Sequence, residues 1–139
     1  MELKSLMTAN PACCKSGTSL REVAQMMADN DCGMIPVVDD KGMPVGVITD
    51  RDIALRVVAK GKDHAACCAS DVMTSHVHSV TEDTSLADCC STMEKAQVRR
   101  LPVVDGQGCV CGVVAQADIA LSDNASRTAE VVKQVSKPC

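Results

Sequence analysis

The segment Gly46-Val47-Ile48-Thr49-Asp50-Arg51-Asp52 contains the residues of this chain that are best suited to bind a small molecule. Apolar residues at helical spacing follow it, which predicts a helix that begins near Asp50. The backbone N–H groups at the start of a helix attract anions, and a carboxylate such as Asp52 can accept hydrogen bonds from the vicinal hydroxyls of a ribose. Thr49 and Asp52 also have the spacing of a capping box. The two roles are compatible, and both remain open.

A second segment, Gly112-Val113-Val114-Ala115-Gln116-Ala117-Asp118, repeats this motif without its hydroxyl. Ala115 replaces the threonine, while Asp118 retains the carboxylate. Since Asp118 has no hydroxyl partner with which to complete a capping box, we expect it to have a separate role. An acidic residue in the first turn of a helix would also suit the positive end of the helix dipole.

Arg99 and Arg100 form a basic pair that could bind an anion. They stand immediately before a strand predicted over 101–104, where adjacent side chains point to opposite faces. At least one guanidinium group could therefore reach a ligand and bind a phosphate through two hydrogen bonds. The alternative is a solvated basic pair at the start of a strand.

Histidines and cysteines raise the question of a metal site or a disulfide framework. His76 and His78 would lie on one side of a strand, but no recognised ligand spacing connects them to the cysteines, so we predict no metal site. The ten cysteines include three adjacent pairs, and adjacent cysteines rarely form a disulfide because the bond strains the intervening peptide. No secretory signal is evident that would indicate an oxidising compartment. We therefore predict reduced, mostly buried thiols.

The chain contains a tandem sequence repeat, whose two copies align at a constant spacing of 66 residues. The matching blocks include Met7-Thr8 with Met73-Thr74, Pro36-Val37-Val38-Asp39 with Pro102-Val103-Val104-Asp105, and Asp52-Ile53-Ala54-Leu55 with Asp118-Ile119-Ala120-Leu121. Each copy predicts the order strand, helix, strand, strand, helix. We assign residues 1–60 to the first repeat, 61–70 to a linker, 71–122 to the second repeat, and 123–139 to a tail with a short helix over 126–135.

Apolar periodicity places the elements within each repeat. Strands are predicted over 34–38, 45–48, 101–104 and 110–114. The apolar face of the first long helix comprises Leu20, Val23, Ala24 and Met27, and Thr18 is its expected N-cap. Cys89 and Cys90 stand at the positions of Val23 and Ala24 in the second copy, so they should pack in a core. The apolar faces of the long helices exceed what one small unit can bury, which predicts a homodimer.

Composition excludes several classes of protein. With 139 residues, of which 46% are hydrophobic and 23% charged, the chain has globular composition and no apolar run long enough to span a membrane. A net charge of −4 and the lack of Phe, Tyr and Trp argue against nucleic-acid binding, which uses positive charge and aromatic stacking surfaces. No catalytic motif is evident, so we expect neither enzymatic activity nor a cofactor.

The succession of Met-Thr, Pro-Val-Val-Asp and Gly-Val-Ile-Thr-Asp-Arg-Asp-Ile, over about residues 5–122, resembles the CBS domain, named for cystathionine β-synthase. Two such domains in tandem resemble a CBS pair, or Bateman module, of the stand-alone bacterial type. The resemblance implies a mixed α/β fold with pseudo-twofold symmetry, dimerisation, and two clefts that bind adenosine-containing ligands. In this family the hydroxyl and the carboxylate of the motif usually face the ribose or the phosphate.

The resemblance also implies which residues line each cleft, since each cleft draws on both repeats. The first cleft would comprise Thr49, Arg51, Asp52, Thr74, His76, Val98, Arg99 and Arg100. The second, weaker cleft would comprise Thr8, Cys32, Gly33, Met34 and Asp118. Only the first contains the hydroxyl and the arginines, so a phosphorylated adenosine ligand should fill it before the second.

We therefore expect a cytoplasmic regulatory module that binds a ligand of the AMP, ADP, ATP, NAD or S-adenosylmethionine type and signals to an unidentified protein partner. Two other hypotheses remain open. One is a redox- or metal-responsive protein that uses the cysteines, and the other is a structural dimerisation module without a ligand.

Overall fold

The chain folds into short helices and strands in mixed order, as its hydrophobic pattern predicts. A computed structural model describes residues 2–120 of the chain. In chain order the elements are α1 (Leu3–Leu6), β1 (Thr8–Ala9), α2 (Leu20–Asn30), β2 (Met34–Val38), β3 (Pro44–Thr49), α3 (Asp50–Ile53), α4 (Ala69–Val72), β4 (Val80–Thr81), α5 (Leu86–Ala96), β5 (Arg100–Val104), β6 (Val110–Ala115) and α6 (Gln116–Ala120). A π-helix over Ala54–Val58 continues α3, and a 3₁₀-helix spans His64–Ala66. The predicted mixed α/β class is confirmed. No helix within residues 2–120 is both long and apolar enough to cross a membrane.

Both long helices begin at a serine cap. The Oγ atom of Ser19 accepts a hydrogen bond from the backbone N–H three residues further on at 3.2 Å, and that of Ser85 does the same for α5 at 3.1 Å. The predicted cap, Thr18, is wrong by one residue, because its hydroxyl accepts from the N–H of Lys15 at 3.0 Å and closes the preceding turn instead. Both residue types are good caps, so only the backbone path decides between them.

The described chain folds into two compact units that do not coincide with the two sequence repeats. The first unit comprises Pro11–Val77 and Gly108–Val110, and the second comprises, among the described residues, 2–10, 78–107 and 111–120. Strand β1 pairs antiparallel with β6 in the second unit, and Thr74 forms an antiparallel bridge with Val47 of β3 in the first. Each unit therefore contains the Met-Thr segment of the other repeat, so these two segments are exchanged.

The strand pairings of the two units match at the spacing of the sequence repeat. The sheet of the second unit has the order β1-β6-β5-β4, with β4 parallel to β5 and Val80 opposite Val103. In the first unit β2 and β3 pair antiparallel, and Cys14 forms a parallel bridge with Val37. Cys14 and Val37 stand 66 residues before Val80 and Val103. The duplication in the sequence is therefore reproduced in the backbone pairing.

Each unit has its own apolar core, built from its long helix and its strands. The core of the first unit includes Leu20, Val23, Met27, Ile35, Val37, Ile48, Val57, Ala69 and Val72. The core of the second unit includes Leu3, Cys89, Cys90, Met93, Leu101, Val103, Val114 and Ile119. Cys89 and Cys90 are 0% and 2% exposed, which confirms that they replace apolar residues in a core.

Two expectations about the helix faces are wrong. Ala24 is exposed, although its counterpart Cys90 is buried. The apolar faces of α2 and α5 are covered within the units, because the exchanged helices α1 and α4 contribute Leu3 and Val72 to the same cores. These faces therefore supply no argument for a homodimer, which stays a prediction. The helix expected over 126–135 lies outside the described residues.

Two glycines make room for the methionine of each exchanged segment. A Cβ atom built on Gly46 would lie 3.0 Å from Met73 Cγ and 3.1 Å from the carbonyl oxygen of Thr74. Gly112 stands in the same relation to Met7 in the second unit. A strand glycine often marks such a close approach. The Met-Thr and Gly-Val blocks of the repeat are thus packing partners.

Candidate ligand-binding site

The start of α3 holds the Thr-x-x-Asp motif in a complete capping box. Thr49 Oγ1 accepts a hydrogen bond from the N–H of Asp52 at 3.1 Å, and Asp52 Oδ2 accepts one from the N–H of Thr49 at 3.0 Å. The helix begins here because both side chains satisfy N–H groups that the helix itself leaves unpaired. The capping role is confirmed, and it fixes the Asp52 carboxylate at the first turn.

The second carboxylate oxygen of Asp52 is held only weakly. Thr74 Oγ1 donates to Asp52 Oδ1 across 3.5 Å, and Arg56 Nε lies 3.7 Å from the same oxygen. The side chain of Asp52 is 13% exposed. Charge-assisted hydrogen bonds between nitrogen and oxygen are usually about 2.7–2.9 Å long. Asp52 Oδ1 can therefore accept a shorter bond from an approaching hydroxyl.

Thr74 lies near Asp52 because its backbone is bridged to β3. The N–H of Val47 donates to the carbonyl of Thr74 at 3.0 Å, and the N–H of Thr74 donates to the carbonyl of Val47 at 2.9 Å. This antiparallel bridge holds Thr74 beside the strand that ends at Thr49. The structure therefore brings three residues of the expected first cleft together, and all three belong to the first unit.

Gly33 also lies at the start of α3, although the sequence resemblance groups it with Asp118. Its carbonyl accepts a hydrogen bond from the N–H of Asp50 at 3.0 Å. The cause is the pairing of β2 with β3, in which Met34 stands opposite Thr49. The start of β2 must therefore lie beside the end of β3, so Gly33 lies next to the motif of its own repeat. Met34, which the resemblance places in the second cleft, is buried.

The corresponding site in the second unit includes Arg99 and Asp118. The N–H of Gln116 donates to the carbonyl of Arg99 at 2.7 Å, so Arg99 stands beside the helix that carries Asp118. Asp118 Oδ2 accepts from the N–H of Ala115 at 2.7 Å. The carboxylate half of the capping box thus forms without a hydroxyl partner, because it needs only a backbone donor. Asp118 therefore caps the start of α6, and the separate role expected for it stays a prediction.

The remaining predicted site residues differ in exposure. The exposed ones are Arg51, His76, Arg99, Cys32 and Thr8, whereas Val98 and Arg100 are partly buried. Within residues 2–120, neither Arg99 nor Arg100 forms an ion pair with an acidic side chain. The pair therefore carries positive charge that the described part of the chain does not neutralise, as the binding of an anion requires.

Arg56 is a residue of this site that the motif itself does not indicate. It contacts Asp52, and its Nη1 donates to the carbonyls of Val72 at 3.2 Å and Met73 at 3.1 Å. The available sequence signal is its position four residues after Asp52, where side chains on a helix meet.

The arrangement of the thiols bears on the redox and metal hypotheses. Among residues 2–120, no group of three or more His, Cys, Asp or Glu side chains is placed to hold a metal ion. The nine cysteines of this range are thiols. Cys67 and Cys68 are adjacent, but both have extended backbone, with ψ of 144° and 175°. Successive side chains of an extended chain point to opposite faces, so these two thiols do not form a dithiol site.

Cys89 should react much more slowly with iodoacetamide than the exposed Cys32. Burial raises the pKa of Cys89 to about 12, and its side chain is 0% exposed, so almost no thiolate is present at pH 8. The stability gained by keeping this thiol neutral is present below pH 9 and is lost as the pH rises from about 9 towards 12. Mass spectrometry of the labelled native protein measures both rates. Rapid native-state labelling of Cys89 would contradict its place in the core and favour the redox hypothesis.

Comparison with known proteins identifies relatives over nearly the whole chain. The family model for the CBS domain matches residues 3–59 and 69–123. The chain is 37% identical over 127 residues to the CBS domain-containing protein YhcV of Bacillus subtilis, covering 91% of this chain and 89% of that protein. It is 30% identical over 135 residues to Hypoxic response protein 1 of Mycobacterium tuberculosis, covering 97% of this chain and 94% of that protein.

Solved structures show the same fold. The crystal structure of Hypoxic Response Protein I with two coordinated zinc ions has a TM-score of 0.78 and 31% identity, covering 86% of this chain and 97% of that chain. The CBS domain pair of protein MJ0100, in complex with 5′-methylthioadenosine and S-adenosyl-L-methionine, has a TM-score of 0.78 and 29% identity at the same coverage. The CBS protein TA0289 of Thermoplasma acidophilum has a TM-score of 0.84 at 22% identity, covering 96% of this chain and 75% of that chain.

Proposed function

Because this chain belongs to the CBS domain family and carries two copies of the domain, we propose that it is a regulatory module that binds an adenosine-containing ligand. In this proposal Asp52 accepts hydrogen bonds from ribose hydroxyls, and the Arg99-Arg100 pair supplies positive charge that attracts phosphate. The module acts in the cytoplasm, as a homodimer, by signalling to a protein partner. It binds its ligand without catalysis, since the sequence has no catalytic motif.

The observation that carries this proposal is the environment of Asp52. The capping box fixes one carboxylate oxygen, while among residues 2–120 the other has only the 3.5 Å contact with Thr74 and the 3.7 Å contact with Arg56. The carboxylate is also largely shielded, with 13% of the side chain exposed. A fixed, shielded acceptor binds a hydroxyl more strongly than an exposed one, because less water competes and the local dielectric constant is lower.

One relative supports the adenosine class of ligand. The MJ0100 domain pair, 29% identical to this chain, is in complex with 5′-methylthioadenosine and S-adenosyl-L-methionine. Adenosine is the part that these two molecules share, and neither carries a phosphate. The positive charge on Arg99 and Arg100, which no acid in the described part of the chain neutralises, favours a phosphorylated adenosine ligand here.

Titration calorimetry with adenosine, AMP and S-adenosylmethionine tests the proposal. We expect AMP to bind more tightly than adenosine, and Arg100→Ala to remove most of that difference because it deletes a charged phosphate donor. Thermal unfolding gives an independent measurement, since a ligand that binds only the native state stabilises it by about 2.7 kcal/mol at a hundredfold excess over Kd. If none of the three ligands binds, the proposal is wrong and the structural dimerisation hypothesis gains support.

Zinc binding is a second candidate function, favoured by one relative. The crystal structure of Hypoxic Response Protein I, 31% identical to this chain, has two coordinated zinc ions. In this chain His76 and His78 are separated by a single residue. Equilibrium dialysis with zinc, on the natural chain and on a His76→Gln/His78→Gln double variant, tests it. Stoichiometric zinc that is lost in the double variant would support this candidate. Zinc uptake that is absent, or unchanged in the variant, would contradict it.

A further inference from the structure

Arg56 connects the Asp52 carboxylate to the segment that precedes Thr74. Its Nε lies 3.7 Å from Asp52 Oδ1, and its Nη1 donates to the carbonyls of Val72 at 3.2 Å and Met73 at 3.1 Å. A guanidinium group presents five N–H donors in a rigid plane, so it can contact a carboxylate and two carbonyls at once. Val72 ends α4 and Met73 is its C-cap, so neither carbonyl has a partner within the helix.

The peptide group between Met73 and Thr74 is held from both sides. Its carbonyl accepts from Arg56 at 3.1 Å, while its N–H donates to the carbonyl of Val47 at 2.9 Å. A planar peptide group that is bonded at both polar atoms has a fixed orientation, which sets the direction of the next side chain. Thr74 Oγ1 then donates to Asp52 Oδ1. Arg56 therefore governs both contacts made by this carboxylate oxygen.

The backbone around Arg56 is unusual. The N–H of Ala59 donates to the carbonyl of Ala54, five residues earlier, at 2.8 Å, and this wider π turn spans Ala54–Val58. Such turns are rare and frequently occur at functional sites. In the second repeat the residue that corresponds to Arg56 is Ser122, so only the first motif has an arginine at this position.

We propose that Arg56 is a positioning residue for ribose recognition, an inference that rests on the proposed function. It holds Thr74 so that a hydroxyl donor and a carboxylate acceptor stand side by side. This pair is complementary to a ribose diol, in which each hydroxyl can both donate and accept a hydrogen bond. Without Arg56 the Met73 carbonyl loses its donor, so the Met73–Thr74 peptide group is held from one side and Thr74 is less firmly directed at Asp52.

Two ligands distinguish a positioning role of Arg56 from general support of the fold. They are adenosine and 2′,3′-dideoxyadenosine, which lacks the 2′ and 3′ hydroxyls of the ribose. By titration calorimetry we expect Arg56→Gln to weaken adenosine binding by about fivefold to tenfold. The affinity for the dideoxy analogue should change by less than about twofold. Arg56→Lys keeps the charge but offers fewer donors, so its adenosine affinity should be intermediate. Equal weakening of both ligands would show a merely structural role and overturn the inference.

A second variant keeps the test informative if Arg56→Gln loses stability. Thr74→Val removes the hydroxyl and leaves Arg56 in place, and the two substitutions should be non-additive in their effect on adenosine affinity because they act on one contact. Additive losses would overturn the inference. Failure of the natural chain to bind any of adenosine, AMP and S-adenosylmethionine, or unchanged binding by Asp52→Asn, would refute the proposed function itself. Loss in Asp52→Asn with normal binding by Arg56→Gln would refute only the role of Arg56.

Discussion

Asp52→Ala should weaken adenosine binding by about tenfold to more than a hundredfold, because a hydrogen bond to a charged group contributes about 1.5–3 kcal/mol. Asp118→Ala should have a much smaller effect on adenosine binding at the tighter of the two expected sites. The second motif has Ala115 in place of the threonine and Ser122 in place of Arg56, so its sequence lacks the hydroxyl and the guanidinium group that accompany Asp52. Titration calorimetry on both variants measures the difference.

Asp63→Ala is a matched control for this comparison. Asp63 is also a helix cap whose carboxylate accepts from a backbone N–H, at 3.0 Å from Ala65, but it makes no contact with the proposed site. Its substitution should lower stability through the lost cap and leave adenosine affinity unchanged. Equal losses of affinity from Asp52→Ala and Asp118→Ala would contradict the assignment of the tighter site to the first motif.

Gly46→Ala should lower the free energy of unfolding by about 1–3 kcal/mol, the usual cost of overpacking a tight site. The new methyl group would lie 3.0 Å from Met73 Cγ and 3.1 Å from the carbonyl oxygen of Thr74. The methionine side chain can move, but the carbonyl cannot without disturbing its hydrogen bond from Val47. Urea denaturation monitored by circular dichroism gives the change in stability.

Gly17→Ala provides the control for the glycine prediction. No atom of the described residues lies within 4 Å of the position that its Cβ would occupy, so the stability of this variant should stay within about 0.5 kcal/mol of the natural chain. In a Met73→Ala background, Gly46→Ala should cost less, because one of the two clashing groups is gone. Unchanged stability of Gly46→Ala in the natural background would refute the packing role of this glycine.

The strands and long helices could be predicted from the sequence because their signals are local. Strands β2 and β3 combine apolar residues with an intervening Asp-Asp-Lys-Gly turn, and α2 has an apolar face at helical spacing. The burial of Cys89 was predictable for a related reason. The repeat aligns it with Val23, and the two residues are each 0% exposed. The sequence could not distinguish Ser19 from Thr18 as the cap of α2, because serine and threonine have similar capping preferences.

The site was harder to predict, since its contacts are not local. A two-residue strand such as β1 has no periodicity, so the sequence does not reveal the exchange of Met-Thr segments. The repeat shows that Arg99 corresponds to Gly33, but correspondence does not tell which residues touch. The partners of Arg56 are backbone carbonyls, which every residue has, so the spacing could indicate only its contact with Asp52.

The exchange of the Met-Thr segments also constrains how this chain could have originated. The last strand of each repeat, β3 or β6, pairs with the Met-Thr segment of the other repeat, so a half-length ancestor could form these pairings by exchanging that segment with a second copy. Duplication and fusion of its gene would have preserved every pairing of that swapped dimer. It would also have freed the two halves to diverge, so that one carries Thr49 where the other carries Ala115.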